Sequence, residues 1–200
     1  MDLFNAVFTP ENLLPQDGEA FYYGPIFPSA EADAFFTLLF SLPGWRQDEV
    51  IIFGKAITTK RKVAWFADTP VSYTYSGITR TALPWTKELS QLKQRVEAVC
   101  GERFNACLLN LYHSGDEGMG WHSDDEKMIA RDSPIASLSL GAKRKFALKH
   151  KTLKTRITVE LENGSLLLMK GATQRFWLHS LPKSLRVKER RINLTFRRMV

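Results

Sequence analysis

Cysteine is scarce in this chain of 200 residues, which contains only Cys100 and Cys107. Two thiols are too few for a disulfide framework, and their spacing fits no zinc motif. Long apolar runs are also missing, since no stretch approaches the roughly 20 residues of a membrane helix. Residues 1–20 lack a basic start and a long apolar segment, so no secretory signal is expected. These absences predict reduced thiols in an intracellular protein without a membrane partner, cytoplasmic in a bacterium and nuclear in a eukaryote.

The length and composition of the chain suit one domain. A hydrophobic fraction of 44% is ordinary for a globular protein, and 200 residues can bury a substantial core. Pro10, Pro15 and Gly18 interrupt any periodicity near the start, which indicates an arm over residues 1–20 and a single domain over residues 21–200. No internal repeat is found, and a monomer is expected.

Positive charge is concentrated towards the C-terminal end. Residues 1–140 carry 12 Lys and Arg against 18 Asp and Glu, a net charge of −6, whereas residues 141–200 carry 16 against 3, a net charge of +13. Such asymmetry indicates a polyanionic partner, most simply nucleic acid. A basic surface that only aids solubility gives the same pattern, so charge alone leaves both explanations open.

Two segments have helical periodicity. Ser29 can cap a helix that runs to Leu42 and is stopped by the Pro-Gly pair that follows. A second helix is predicted from about Thr86 to Cys100, where apolar residues repeat at helical spacing and Gly101 occupies the position of a C-terminal cap.

Short strands dominate the remaining sequence. Each is mostly apolar or alternating, and many are bounded by Gly, Pro or Asn. The predicted strands are Val50–Phe53, Ala106–Tyr112, Ile135–Leu140, Arg144–Leu148, Arg156–Leu161, Ser165–Met169, Arg175–Leu178 and Ile192–Arg197. Many short strands favour a sandwich or jelly roll over a parallel α/β sheet. The sequence therefore predicts an α+β fold, mainly β, in which two N-terminal helices pack on a C-terminal double-stranded β-helix.

Two histidines and an aspartate form a candidate metal-ligand set. His122 and Asp124 stand two apart, so their side chains point to the same side if the segment is extended, and His179 can add a third ligand from a distant strand. Two imidazoles and one carboxylate are the facial triad of non-haem Fe(II) oxygenases. Taken singly, His-x-Asp is a weak motif, and a histidine beside Trp177 is more often packed in a core. The order of His-x-Asp, strands, His and then Arg favours the metal site.

A polar face on the last predicted strand suits a dicarboxylate. Even spacing places four side chains on one face of this strand, namely Arg191, Asn193, Thr195 and Arg197. Arginine pairs with a carboxylate through two parallel hydrogen bonds, as the far end of 2-oxoglutarate would require. Asn110 and Tyr112 show the same spacing just before the candidate metal loop. A structural arginine paired at the surface, or a tyrosine in the core, is the plainer alternative for each residue taken alone.

Five segments, taken in order, resemble the AlkB family of Fe(II)/2-oxoglutarate dioxygenases. They read Asn-Leu-Tyr at 110–112, His-Ser-Asp-Asp-Glu at 122–126, Ser-Pro-Ile-Ala-Ser-Leu-Ser-Leu-Gly at 133–141, His-Ser-Leu at 179–181 and Arg-Ile-Asn-Leu-Thr-Phe-Arg at 191–197. The resemblance covers roughly residues 45–198, and the preserved order makes it far more specific than any one motif. The subgroup that it resembles most repairs alkylated bases in duplex DNA.

The resemblance implies an enzyme that uses Fe(II), 2-oxoglutarate and O2 to demethylate N-alkylated bases in DNA, such as 1-methyladenine and 3-methylcytosine. Succinate, CO2 and formaldehyde would be released. It implies that iron is bound by His122, Asp124 and His179. It also implies that 2-oxoglutarate is surrounded by Asn110, Tyr112, Arg191, Asn193 and Arg197. Residues 105–198 would form the jelly-roll catalytic core, and residues 45–80 would form a nucleotide-recognition lid.

The same resemblance assigns residues to the substrate base. Tyr73 and Tyr75 are similar to residues that stack beside a base, and Ser76 would hydrogen-bond nearby, although an amphipathic strand explains the two tyrosines equally well. Asp125 and Glu126 follow the metal carboxylate directly. Methylation at N1 of adenine or N3 of cytosine gives a cation, and a buried cation needs a partner, for which Asp125 is favoured over Glu126.

Contacts to DNA are expected from Phe53, Lys55 and Arg61. Phe53-Gly54-Lys55 is similar to a finger hairpin whose apolar wedge fills the gap left by a flipped base. At Lys60-Arg61 and at residues 65–67 the chain departs from the Pro-Arg and Tyr-Gly that the family often has, which leaves the substrate preference and the shape of the lid open.

Two other functions fit parts of the sequence. One keeps the iron chemistry but changes the substrate to RNA, a protein side chain or a small molecule. The other is a jelly-roll nucleic-acid-binding protein without catalytic activity, in which the metal residues are incidental. The iron content of the purified protein distinguishes a non-catalytic binding protein from an enzyme. Activity on methylated oligonucleotides and peptides distinguishes a DNA demethylase from an iron enzyme with another substrate.

Overall fold

The computed structural model describes residues 10–52, 55–70, 72–75 and 78–200, and for residues 48–52, 55–57, 72–75 and 78–80 it describes the backbone alone. The helices are α1 (Ser29–Phe40), α2 (Lys87–Cys100) and α3 (Thr173–Phe176). The strands are β1 (Glu19–Pro25), β2 (Arg46–Ile52), β3 (Lys55–Ala67), β4 (Ser72–Tyr75), β5 (Ile78–Thr81), β6 (Ala106–Tyr112), β7 (Met119–His122), β8 (Ile135–Gly141), β9 (Arg144–His150), β10 (Arg156–Leu161), β11 (Ser165–Lys170), β12 (Trp177–Leu181) and β13 (Arg191–Arg197). No helix in the described part of the chain is long and apolar enough to cross a membrane.

Two antiparallel sheets form the body of the protein. The larger has seven strands in the order β1-β11-β8-β13-β6-β3-β2, and the smaller has four in the order β10-β9-β12-β7. A separate two-stranded sheet, β4-β5, covers the end of the predicted lid and extends one residue beyond it, to Thr81. The described pairings between strands are antiparallel. This arrangement confirms the predicted mainly β fold with helices added to one side.

The strands of the larger sheet bury both faces. In β11, Leu166 and Leu168 belong to the cluster that includes residues of α1 and α2, whereas Leu167 and Met169 belong to the cluster shared with the smaller sheet. Because side chains alternate along a strand, a strand buried on both faces has a continuous apolar sequence, as Leu-Leu-Leu-Met shows here. The site described below opens from the second cluster, between the two sheets.

The predicted helices are confirmed with small changes at their ends. The hydroxyl of Thr86 accepts a hydrogen bond from the backbone N–H of Leu89, and Gly101 has a φ of +75° and donates its N–H to the carbonyl of Glu97, so α2 is capped at both ends. In α1, Ser29 is the first helical residue and not the cap, since Pro28 occupies the cap position and no side chain caps this helix.

The strand predicted at Arg175–Leu178 is wrong in its bounds. A short helix, α3, occupies Thr173–Phe176, and the strand β12 begins only at Trp177. Gly171 has a φ of +59° and turns the chain out of β11, so one helical turn fits before the chain returns to the smaller sheet. The shift matters because β12 carries His179.

The strand β1, which sequence patterns did not indicate, is the edge of the larger sheet and pairs with β11. Residues 10–18, part of the predicted arm, lie against the domain. The carboxamide oxygen of Asn12 accepts hydrogen bonds from the backbone N–H groups of Leu14 and Ala20, and the indole of Trp177 donates to the carbonyl of Gln16.

Candidate metal centre and co-substrate pocket

His122, Asp124 and His179 converge on one point. β7 and β12 pair with His122 directly opposite His179, so the two rings lie side by side with their centroids 4.2 Å apart. Asp124 follows β7, and its Oδ1 lies 3.7 Å from Nε2 of His122 and 3.9 Å from Nε2 of His179. One ligand atom of each residue lies within 4.8 Å of the others. The structure therefore assembles the predicted set in a form that can hold a metal ion.

Neighbouring groups orient the two rings. Nδ1 of His122 lies 2.9 Å from the carbonyl oxygen of Gly120, and a proton on Nδ1 would be donated to it, which leaves Nε2 free towards Asp124. His179 is stacked on Phe146 with the ring centroids 5.5 Å apart. Burial lowers the pKa of His179 to about 3, with the carboxylate of Asp124 acting in the opposite direction, so this ring is neutral as a metal ligand must be.

Arg197 holds the carboxylate of Asp124. The Nε and Nη2 atoms of Arg197 donate to Oδ2 of Asp124 at 3.2 and 2.7 Å, and both side chains are about 95% buried. Burial alone would raise the pKa of Asp124, but Arg197, His179 and His122 lower it to about 2. Oδ2 is thus engaged by Arg197, while Oδ1 faces the histidines.

Arg191 is a buried cation that lines the same cavity as His122, Asp124 and His179. Its side chain is 2% exposed, and Nη2 donates to the Ser139 hydroxyl at 2.8 Å and to the Asn193 carboxamide oxygen at 2.7 Å. Nε has no hydrogen-bond partner among the described residues, and burial lowers the pKa of this guanidinium to about 10. A buried cation without a carboxylate partner is costly, which fits a site built for an anionic ligand.

The predicted polar face of β13 points into this cavity. Its lining residues include Asn110, Tyr112, Arg191, Asn193, Thr195 and Arg197, together with the three metal-ligand candidates. β13 pairs with β6 so that Arg191 lies opposite Tyr112 and Asn193 lies opposite Asn110. This register brings the polar side chains of the two strands together on the same face of the sheet. The carboxamide oxygen of Asn110 is buried and has no partner among the described residues. A buried acceptor and a buried donor without partners among the described residues therefore belong to two side chains that line one cavity beside the metal ligands.

Arg144 is a site neighbour that the sequence analysis missed. It is 2% exposed, its Nη2 donates to the carbonyls of Glu117 and Pro182 at 2.8 and 2.9 Å, and its guanidinium lies 6.0 Å from the Tyr112 ring. Glu117 precedes β7 and Pro182 follows β12, so Arg144 joins the ends of the two strands that carry histidine ligands. In sequence it looks like part of a surface cluster, Lys143-Arg144-Lys145. The alternation of β9 was the available signal, since residue 144 shares a face with the apolar residue 146.

The expected base and DNA contacts are only partly described. Phe53 and Ser76 lie outside the described residues, as do the side chains of Lys55, Tyr73 and Tyr75.

Among the other expected contacts, Asp125 is exposed and its nearest described cation is the ammonium of Lys151 at 4.0 Å, while Glu126 is half-buried. Both line a cavity whose wall also includes Asp124. Arg61 is 6% exposed, and its Nη1 contacts the sulfur of Met119 at 3.3 Å. Its expected contact with DNA stays a prediction.

The fold and the site together define an oxygenase that depends on iron(II) and 2-oxoglutarate. Two imidazoles and a carboxylate suit ferrous iron, and the unused Arg191 Nε and Asn110 oxygen suit a carboxylate-bearing co-substrate. Comparison with known proteins agrees: the family described as the 2OG-Fe(II) oxygenase superfamily matches residues 20–197. The chain belongs to this superfamily and, within it, to the AlkB homologues, as the relatives below show. Fe(II) is its metal, and 2-oxoglutarate and O2 are its co-substrates.

Several relatives are similar over most of the chain. DNA oxidative demethylase ALKBH2 of Mus musculus is 38% identical over 198 residues, which are 94% of this chain and 83% of that protein. Alpha-ketoglutarate-dependent dioxygenase alkB homolog 3 of Homo sapiens is 40% identical over 177 residues, which are 84% of this chain and 61% of that protein. The solved structure of OsALKBH1 superposes with a TM-score of 0.62 at 15% identity, covering 94% of this chain and 100% of that one, which confirms the jelly-roll fold.

Proposed function

We propose that this protein is a DNA repair enzyme that demethylates N-alkylated bases, with 1-methyladenine and 3-methylcytosine as its substrates. In this reaction the N-methyl carbon leaves as formaldehyde, 2-oxoglutarate becomes succinate and CO2, and O2 supplies one oxygen atom to succinate and one to formaldehyde. The observation that carries the proposal is the convergence of His122, Asp124 and His179 beside the buried Arg191, in a chain 38% identical to a DNA oxidative demethylase.

Different residues of the pocket bind the metal and the co-substrate. When bound, ferrous iron and 2-oxoglutarate supply the activation of O2. His122, Asp124 and His179 hold the metal, and Arg191 receives the distal carboxylate of 2-oxoglutarate through its unused Nε. Arg197 keeps the carboxylate of Asp124 ionised and oriented. Asn110, Tyr112 and Asn193 complete the wall around the co-substrate.

The surface beside the metal-ligand segment, residues 122–124, suits a polyanion. The β9–β10 hairpin carries Lys149, Lys151, Lys154 and Arg156, and the ammonium of Lys151 donates to the hydroxyl of Ser123 at 3.2 Å. The basic hairpin therefore adjoins the metal-ligand segment. Asp125, exposed beside that segment, supplies a negative charge for a cationic methylated base, whereas the hairpin attracts phosphate. A base within a duplex must leave the stack to reach the iron.

The direct test is product formation on a panel of oligonucleotides. Methylated DNA and RNA, each single- and double-stranded, are incubated with Fe(II), ascorbate and 2-oxoglutarate, and succinate and formaldehyde are measured. We expect formaldehyde in equal amount to succinate on DNA that contains 1-methyladenine. Formaldehyde from methylated RNA alone would replace DNA by RNA as the substrate, and none from any oligonucleotide would contradict the proposed function.

Substituting Lys154 should weaken DNA binding in a way that depends on salt. Lys154 is exposed on the basic hairpin. The slope of log K against log salt concentration is negative, and each lost phosphate contact reduces its magnitude by about 1. We expect Lys154→Gln to show this reduction in fluorescence-anisotropy titrations between low and physiological salt. Lys87→Gln, at the exposed start of α2, is the matched control and should retain the parent slope. If Lys154→Gln had the same slope as the parent protein, the predicted contact between the hairpin and DNA would be contradicted.

A further inference from the structure

Gln174 reaches the metal-ligand segment from α3. The backbone N–H of Asp124 donates to Oε1 of Gln174 at 2.9 Å, although the two residues are 50 positions apart in the chain. The amide nitrogen of Gln174 faces the sulfur of Met169 at 3.8 Å. The oxygen end of the carboxamide is therefore turned towards Asp124, where it satisfies a backbone donor next to the carboxylate ligand.

The helix that carries Gln174, α3, is held by contacts of its first residue, Thr173, with the larger sheet. Thr173 is 1% exposed; its hydroxyl accepts a hydrogen bond from the backbone N–H of Glu19 at 2.8 Å and lies within 2.9 Å of the carbonyls of Glu19 and Lys170. This close approach requires the glycine at position 18, because a Cβ there would lie 2.8 Å from the Thr173 hydroxyl. Through β1 and β11, the larger sheet thus sets the position of Gln174.

Lys151 makes a second link between α3 and the metal-ligand segment. Its ammonium donates to the carbonyl oxygen of Gln174 at 2.9 Å and to the hydroxyl of Ser123 at 3.2 Å. The segment from 123 to 124 is therefore tied at two points to a short helix that is itself anchored to the sheet. His122 and His179 lie on paired strands, but Asp124 lies beyond the end of β7 and needs such support.

We propose that Gln174 is a positioning residue for the metal, and this inference rests on the iron site of the proposed function. By fixing the backbone of Asp124, Gln174 keeps Oδ1 turned to the histidines while Oδ2 pairs with Arg197. Without the acceptor, the peptide N–H would seek water and the carboxylate ligand would lose its fixed direction. Changing residues that support metal ligands typically weakens metal binding by about 10- to 100-fold.

The experiment compares three variants of the whole protein. Gln174→Met keeps the length of the side chain and removes the acceptor, whereas Gln174→Glu keeps an acceptor oxygen. Gln91→Met, on the exposed side of α2, is the matched control. The dissociation constant for Mn(II) and the visible absorption spectrum of the Co(II) form are measured without 2-oxoglutarate or DNA, and thermal unfolding of the metal-free proteins is recorded alongside.

We expect Gln174→Met to bind Mn(II) about 10-fold or more weaker than the parent and to change the Co(II) spectrum. Gln174→Glu should recover most of the affinity, and Gln91→Met should match the parent. Metal binding by Gln174→Met within about threefold of the parent, with an unchanged spectrum, would overturn the positioning role and leave the proposed function intact. Equal weakening in the Met and Glu variants would also overturn it, because the acceptor would then not matter. A parent protein that binds no metal would overturn both proposals.

Discussion

His122→Ala should abolish succinate and formaldehyde formation and leave the protein folded. His122 is 28% exposed, so removing its ring opens little of the core and leaves no buried charge without a partner. The loss of one of three ligands removes the metal, and with it the activation of O2. Product formation, the Mn(II) dissociation constant and the thermal unfolding midpoint should be measured on the same preparation.

His113→Ala is the control for His122→Ala. Its ring is 37% exposed and pairs with Glu117, outside the metal set, so we expect near-parent metal affinity and turnover. Asp124→Ala is a poorer test of the ligand assignment, because it would leave Arg197 buried without its carboxylate, a change that typically costs about 3–5 kcal/mol of stability. Parent-like turnover by His122→Ala would contradict the ligand assignment.

Arg191→Met should separate co-substrate binding from stability. Removing one partner of a buried, hydrogen-bonded charge pair costs about 2–5 kcal/mol of binding, which corresponds to a roughly 30-fold to several-thousand-fold weaker affinity for 2-oxoglutarate. Without 2-oxoglutarate, the guanidinium of Arg191 is buried with no carboxylate contact among the described residues. We therefore expect the thermal midpoint of the variant alone to stay unchanged or to rise.

The measurements for Arg191→Met are calorimetric titration of 2-oxoglutarate into the Mn(II)-loaded protein and thermal unfolding with and without the ligand. The parent should gain stability from 2-oxoglutarate and the variant should gain little. Arg198→Met, at the exposed neighbouring position, is the matched control and should bind 2-oxoglutarate as the parent does. Unchanged affinity in Arg191→Met would place the distal carboxylate elsewhere in the cavity.

Patterns within one element predicted the structure well where neighbours in sequence decide it. The caps of α2 depend on Thr86 and Gly101, and both residues act within a few positions of themselves. The spacing of Arg191 and Asn193 placed them on one face of β13, and that face is the one that lines the cavity. Local hydrogen bonding and side-chain alternation are sufficient for such features.

Side-chain burial and the pairing of distant strands are the two features that local sequence patterns did not predict. Arg61 stands between Lys60 and Lys62, and Arg144 stands between Lys143 and Lys145, so the local sequence gives no sign of burial, yet both arginines are at least 94% buried. The charge of Arg144 is compatible with burial because carbonyls of Glu117 and Pro182, distant in the chain, accept its hydrogen bonds. β1 was missed because its pairing with β11 is a long-range property.

The sequence by itself determined the ligand types, the strand that carries the polar face and the helices that cover the sheet, because each depends on residues a few positions apart. The tertiary structure decided that His122 lies opposite His179, that Arg197 pairs with Asp124 and that Gln174 holds the backbone of Asp124. These contacts join residues far apart in the chain through strand register and packing. Register is a property of the assembled sheets, which no local pattern contains.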